Sequence, residues 1–156
     1  MLAEMRRSDR ALGEEEIHQL LEKCLFGVVS TVTTDGQPYG VPISYGYDGN
    51  RIVLHCARDV GQKLENIAAE PRVCFTVVGD VVTLPGKFST TYESAIVIGK
   101  ARLLEDREEK KAALHLLIDK YSNDFQERGA KYIDGAVDKT SVLEISIDQV
   151  TGKARR

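Results

Sequence analysis

The first strongly periodic segment runs from Glu14 to Cys24. Ile17, Leu20, Leu21 and Cys24 fall at i, i+3, i+4 and i+7 and share one face of a helix. Glu14, Glu15 and Glu16 occupy its first turn, where the positive end of the helix dipole favours carboxylates. Beyond Gly27 the period changes. Val28-Val29-Ser30-Thr31-Val32 has strand chemistry, and Asp35-Gly36 supplies a hairpin turn that tolerates positive φ. In the returning strand Tyr39, Val41, Ile43, Tyr45 and Tyr47 alternate with Gly40, Pro42, Ser44 and Gly46. Pro42 has no amide to donate, which confines it to an edge, a bulge or a ligand-facing position. Asp48-Gly49-Asn50 turns the chain again. Arg51 to Cys56 then forms a third strand, with Ile52, Leu54 and Cys56 on one face and Val53 and His55 on the other.

A short helix carries Leu64, Ile67 and Ala68 on one face and closes at Pro71. Arg72 to Val78 is a fourth strand. A fifth lies within Phe88 to Leu104, and its stretch Ala95-Ile96-Val97-Ile98-Gly99 is apolar on both faces, which implies a covered outer side. A third helix spans Asp106 to Tyr121, with Asp106 and Glu109 as a D-x-x-E cap and Ala113, Leu116, Leu117 and Tyr121 as its stripe. Leu143, Ile145 and Ile147 mark a sixth strand. Six strands, mostly in hairpin order and interrupted by three helices, predict an α+β fold closed as a small six-stranded antiparallel barrel. With no repeat or low-complexity linker, residues 1–156 are expected to form one domain. A chain of this length buries about 69% of its surface on folding, without a disulfide or metal staple.

Charge narrows the partners. Lys and Arg number 21 against 24 Asp and Glu, a net −3, so a nucleic-acid partner is not expected. Cys24, Cys56 and Cys74 lack CxxC spacing, which argues against structural zinc and a disulfide framework; Cys56 and Cys74 read as small buried hydrophobes. The N-terminus has no apolar core behind its arginines, and no apolar run approaches a membrane span. A cytoplasmic protein without a membrane partner is expected.

The most informative chemistry lies between Arg51 and Lys63. A strand ends at His55-Cys56, a polar loop follows, and a helix opens at Gly61. Free amides at a helix start attract anions, and Lys63 adds a positive charge there. This is either a phosphate seat or an ordinary solvated helix start. His55 is either a histidine packed in the barrel wall or a site residue, while His18 and His115 read as surface residues. Ser89-Thr90-Thr91-Tyr92-Glu93-Ser94 is either a strand edge or a row of donors facing a polar ligand. No spacing of His, Cys, Asp or Glu suits a metal ion.

Taken in order, these segments carry a resemblance. Arg6-Arg7-x-Asp9-Arg10 precedes the first helix; Pro38-Tyr39-Gly40-Val41-Pro42, Leu54-His55-Cys56-Ala57 and Gly61-x-Lys63 follow. Pro71-Arg72-Val73-Cys74-Phe75, Tyr92-x-Ser94 and Gly99-Lys100-Ala101 complete the series. The chain resembles the pyridoxamine 5′-phosphate oxidase-like flavoproteins, in the branch related to nitroimidazole-resistance proteins. The resemblance implies a split β-barrel homodimer with FMN at the dimer interface. It implies flavin contacts from Val41, Pro42, Ile43 and Ser44, from His55 and Cys56, and from Tyr92 and Ser94. The phosphate would fall to Gly61, Gln62 and Lys63. Gly61-Gln62 stands where the oxidases carry a Ser-Arg pair, and their C-terminal Arg/Trp substrate elements have no counterpart. The resemblance therefore points away from pyridoxamine phosphate. The expected function is an FMN-dependent oxidoreductase reducing a small organic substrate, with His55 as the candidate catalytic residue. The alternatives are a haem- or flavin-binding module without turnover, with His55 as axial ligand to haem, and a structural dimer that has lost its ligand.

Overall fold

The computed structural model describes residues 5–58 and 60–156. Residues 1–4, part of the segment read above as lacking a leader, and Asp59, within the Arg51–Lys63 stretch, lie outside the described residues. The elements in chain order are α1 (Glu14–Lys23), β1 (Gly27–Val32), β2 (Pro38–Ile43), β3 (Gly46–Tyr47), β4 (Arg51–Ala57), α2 (Gln62–Ala69), β5 (Arg72–Leu84), β6 (Ser89–Leu103), α3 (Arg107–Tyr121), α4 (Gln126–Ala136) and β7 (Thr140–Arg155). Among the described residues, no helix is long and apolar enough to cross a membrane.

The fold is α+β, but the described strands number seven rather than six. They form one antiparallel sheet in the order β2-β1-β5-β6-β7-β4-β3. The first and last strands of that order, β2 and β3, are joined by Ser44 and Tyr45 alone. The sheet must therefore roll until its two edges meet, which makes a barrel with a split wall.

The extra strand arises where the alternation from Tyr39 to Tyr47 is interrupted. Tyr45 is fully buried, its hydroxyl donates to the Leu21 carbonyl at 2.6 Å, and its ring meets Phe75 edge-on at 4.8 Å between centroids. Its backbone N–H donates to the Tyr121 hydroxyl at 2.9 Å, and that hydroxyl donates to the Leu25 carbonyl at 2.7 Å. A side chain from α3 thus replaces the neighbouring strand at this residue, and pairing resumes at Gly46.

Alternating side chains then sort into an interior and an outer face. Val29, Phe75, Val77, Ala95, Val97, Leu143 and Ile145 fill the barrel. Gly99 is required where β6 shifts register against β7, because a Cβ there would sit 1.9 Å from the Ser146 carbonyl oxygen. A second apolar cluster, including Val53, Leu104, Leu114, Leu117, Ile133 and Val142, lies between the α3–α4 pair and strands β4 and β7. Val53 and Leu54 are both fully buried, so β4 is covered on both faces.

On the outer face, Pro42, Val28, Thr76, Ile96 and Thr151 stand in one cross-strand row over β2, β1, β5, β6 and β7. Ile96 is 42% exposed and Val78, one row away, is 57% exposed. Among the described residues, nothing covers Ile96 and Val78 fully on this side.

Candidate functional site

β4 delivers His55, Cys56 and Ala57 to one end of the barrel, and α2 starts five residues after Ala57. Gly61 caps α2 with φ +113°, a conformation that side chains oppose, and nothing stands within 4 Å of where a Cβ would be. The first bond within the helix runs from the Leu64 N–H to the Gly61 carbonyl at 3.0 Å. The amides of Gln62 and Lys63 therefore have no acceptor inside the helix. Lys63 is half-buried and, among the described residues, makes no ion pair. Partial desolvation, and then the positive charge of Lys63, lower the pKa of His55. An open glycine, two free amides and an unpaired ammonium group together suit an anion.

Gln62 differs from Lys63. Its side-chain amide donates to Asn66 Oδ1 at 2.9 Å, Asn66 donates to Thr31 Oγ1 at 2.8 Å, and Thr31 donates to the Tyr39 carbonyl at 3.3 Å. Asn66 and Thr31 are buried. This relay fixes the start of α2 against β1 and β2, so Gln62 offers the anion its backbone N–H. Reading the sequence missed Asn66 and Thr31. An asparagine beside a helical stripe and a threonine in a strand look unremarkable until the two elements meet.

On β2, Val41 and Ile43 pack against the barrel core, whereas Pro42 points outward and is exposed. The three residues thus do not present one apolar surface. Because β2 ends the sheet order, the outer backbone groups of the Val41–Ser44 segment have no strand partner, and they suit the polar edge of a planar ring system. Ser44 and His55 face one cavity of about 300 Å³ between the barrel wall and the α3–α4 pair. Cys56 and Cys74 are half-buried rather than buried, and Cys74 Sγ lies 3.8 Å from Thr76 Oγ1. His18, read as a surface residue, is half-buried with Nδ1 3.1 Å from the Tyr47 hydroxyl; His115 is also half-buried.

Tyr92 and Ser94 lie elsewhere. Ser94 pairs with Lys153 on β7, whereas His55 pairs with Val142, eleven residues earlier on the same strand. That separation is about 36 Å of strand contour at 3.3 Å per residue. Hydrogen bonding to Lys153, with the charges of Lys153 and Arg10, lowers the pKa of the Tyr92 phenol. Ser94 Oγ donates to the Lys153 carbonyl at 3.5 Å. Within one chain the candidate residues therefore form two groups: Ser44, His55, Gly61 and Lys63 at one end, Tyr92 and Ser94 at the other.

The profile of the pyridoxamine 5′-phosphate oxidase family matches residues 13–154. The chain belongs to that family. A candidate 5-nitroimidazole antibiotic resistance protein from Bacteroides thetaiotaomicron is 29% identical, with a TM-score of 0.79 over 92% of this chain and 86% of that one. A flavocytochrome from Azotobacter vinelandii shares the fold at 23% identity, with a TM-score of 0.79 over 98% of this chain and 72% of its own. An FAD-binding protein from Mesorhizobium loti does so at 23% identity, with a TM-score of 0.70 over 94% and 98%. For a pyridoxamine 5′-phosphate oxidase family chain, the rolled seven-stranded sheet is the family's split barrel. The Gly61–Lys63 turn stands at one end of its wall.

Proposed function

We propose that the chain is an FMN-dependent oxidoreductase that works as a homodimer and reduces a small organic substrate of the nitroaromatic or nitroimidazole kind. The carrying observation is Lys63, a half-buried cation that has no carboxylate partner among the described residues, placed at an open glycine and two amides without an acceptor inside the helix. FMN brings a phosphate of nearly two negative charges, which matches that cation and those amides. When bound, the flavin supplies the hydride or electrons, so the protein's part is binding and orientation. The outer edge of β2 lies on the same side as Ser44 and offers backbone groups to the ring system. Burial and the positive charge of Lys63 disfavour the charged form of His55, which serves as a hydrogen-bonding group beside it.

Two observations support the homodimer. Tyr92 and Ser94 lie at the far end of the β6–β7 ladder from His55, and among the described residues the outer row of Val28 and Ile96 stays exposed. A second copy packed on that face covers the row and brings its own Tyr92 and Ser94 toward the ligand. The nitro substrate class is supported by the 29% identical Bacteroides thetaiotaomicron protein. Haem, the alternative ligand, would use His55 as its axial partner but carries no phosphate for the seat at Gly61–Lys63.

The reductase reading is tested by one turnover, which requires no knowledge of the physiological donor. The purified protein, reduced anaerobically with dithionite and freed of excess reductant, is mixed with a 5-nitroimidazole. Stoichiometric return of the oxidised flavin absorbance is expected. A reduced spectrum that persists would overturn the reductase assignment while leaving flavin binding intact.

A further inference from the structure

The α3–α4 pair is joined by a short turn and packs against the barrel beside His55. The cavity beneath it, about 300 Å³, is walled by Leu117, Ile118, Ile133 and the rings of Tyr121 and Tyr132. Its polar groups come from both walls, Ser44, His55 and Thr140 from the barrel and Tyr121 and Ser122 from the helical side. The Tyr121 hydroxyl is already committed to Tyr45 and Leu25, and the Thr140 hydroxyl donates to the Ala136 carbonyl at 2.9 Å. Ser44, His55 and Ser122 remain to meet a guest.

A shallower trough continues from this cavity and shares Ile118, Ser122 and Tyr132 with it. Arg128 lines the trough one helical turn before Tyr132, about 5–6 Å along α4. Its guanidinium lies 5.8 Å from the Phe125 ring centroid and has no carboxylate partner among the described residues, whereas Lys131 is paired with Glu127 at 2.8 Å. The channel thus runs from neutral hydrogen-bonding groups, through an apolar sleeve, to a free cation.

We propose that this channel is the substrate pocket and that it takes a single aromatic ring with a polar substituent facing Ser44 and His55 and a short acidic tail reaching Arg128. The proposal deepens the oxidoreductase reading and rests on it in one respect, that His55 stands where pocket and flavin meet. A volume near 300 Å³ is at the small end for ligand sites and suits one ring rather than a fused system.

The probes are 3-(4-hydroxyphenyl)propionate, which has ring, hydroxyl and acidic tail, and 4-ethylphenol, which lacks the acid. Each is titrated calorimetrically into the protein as purified. Wild type is expected to bind both, the acid more tightly. Arg128→Ala should weaken the acid about three- to fivefold and leave 4-ethylphenol unchanged, as for an exposed ion pair. Ala136→Phe and Ser122→Trp, which fill the channel from two sides, should each weaken both probes more than tenfold while thermal melting and flavin content stay as in wild type. No binding to wild type, or wild-type binding in both filled variants, would overturn the pocket. Probe binding that is lost on filling, in a protein devoid of flavin, would support the pocket and count only against the cofactor reading.

Discussion

Replacing Lys63 by alanine will lower FMN affinity about ten- to hundredfold and leave riboflavin affinity almost unchanged. The difference isolates the phosphate. Lys63 supplies the one charge-assisted contact that the α2 start offers beyond its backbone amides, and such a bond is worth about 1.5–3 kcal/mol, or one to two powers of ten in Kd. Riboflavin has no phosphate and does not use the seat. The fold should tolerate the change, because among the described residues Lys63 makes no ion pair that its loss would orphan. Flavin-fluorescence titrations of wild type and Lys63→Ala with both ligands supply the measurement. Equal FMN affinity in the two proteins would remove the phosphate from Gly61–Lys63.

A charge on the outer face should have an even larger effect. Ile96→Glu places a carboxylate in the row formed by Pro42, Val28, Thr76 and Thr151. In the isolated chain Ile96 is 42% exposed, so the barrel itself should fold as before. In a dimer packed on this face the carboxylate would be buried without a partner, at a cost of about 3–5 kcal/mol. That is two to nearly four powers of ten in the dimer dissociation constant. Sedimentation should show monomer at micromolar concentration, and bound flavin should be lost in parallel, since each site draws Tyr92 and Ser94 from the other copy. A dimer that keeps its flavin in Ile96→Glu would place the interface elsewhere.

Much of the fold was legible in the chain because the deciding signals are local. The stripe Ile17, Leu20 and Leu21 is buried as a face, Asp106 accepts from the Glu109 N–H at 2.9 Å as its cap, and Gly36 and Gly49 adopt the positive φ that their turns require. What escaped depends on residues distant in sequence. The break at Tyr45 is made by Tyr121, 76 residues later. Helix α4 shows little stripe, since its buried positions are Gly129 and Ile133, and Gly129 is there because a Cβ would press on Ile118 at 2.7 Å. The second half of β7 turns Gly152 and Ala154 inward, residues too small to register as alternation.

The candidate site divides in the same way. Gly61 and Lys63 stand out locally, because a glycine at a helix start followed by a lysine is a short-range pattern. The Asn66–Thr31 bond spans 35 residues and becomes visible only when α2 lies on β1. The alternation on β2 correctly predicted that Val41 and Ile43 share a face, but not that this face belongs to the core. Nor does spacing along the chain reveal that Tyr92 and Ser94 sit at the far end of the β6–β7 ladder from His55. That separation turns a list of candidate contacts into an argument for two copies.

Whether this barrel holds FMN is read from the absorption spectrum of the freshly purified protein, with the released cofactor identified by mass. A two-banded flavin spectrum and release of FMN are expected. A Soret band, release of FAD alone, or a colourless protein that FMN does not bind would contradict the FMN assignment.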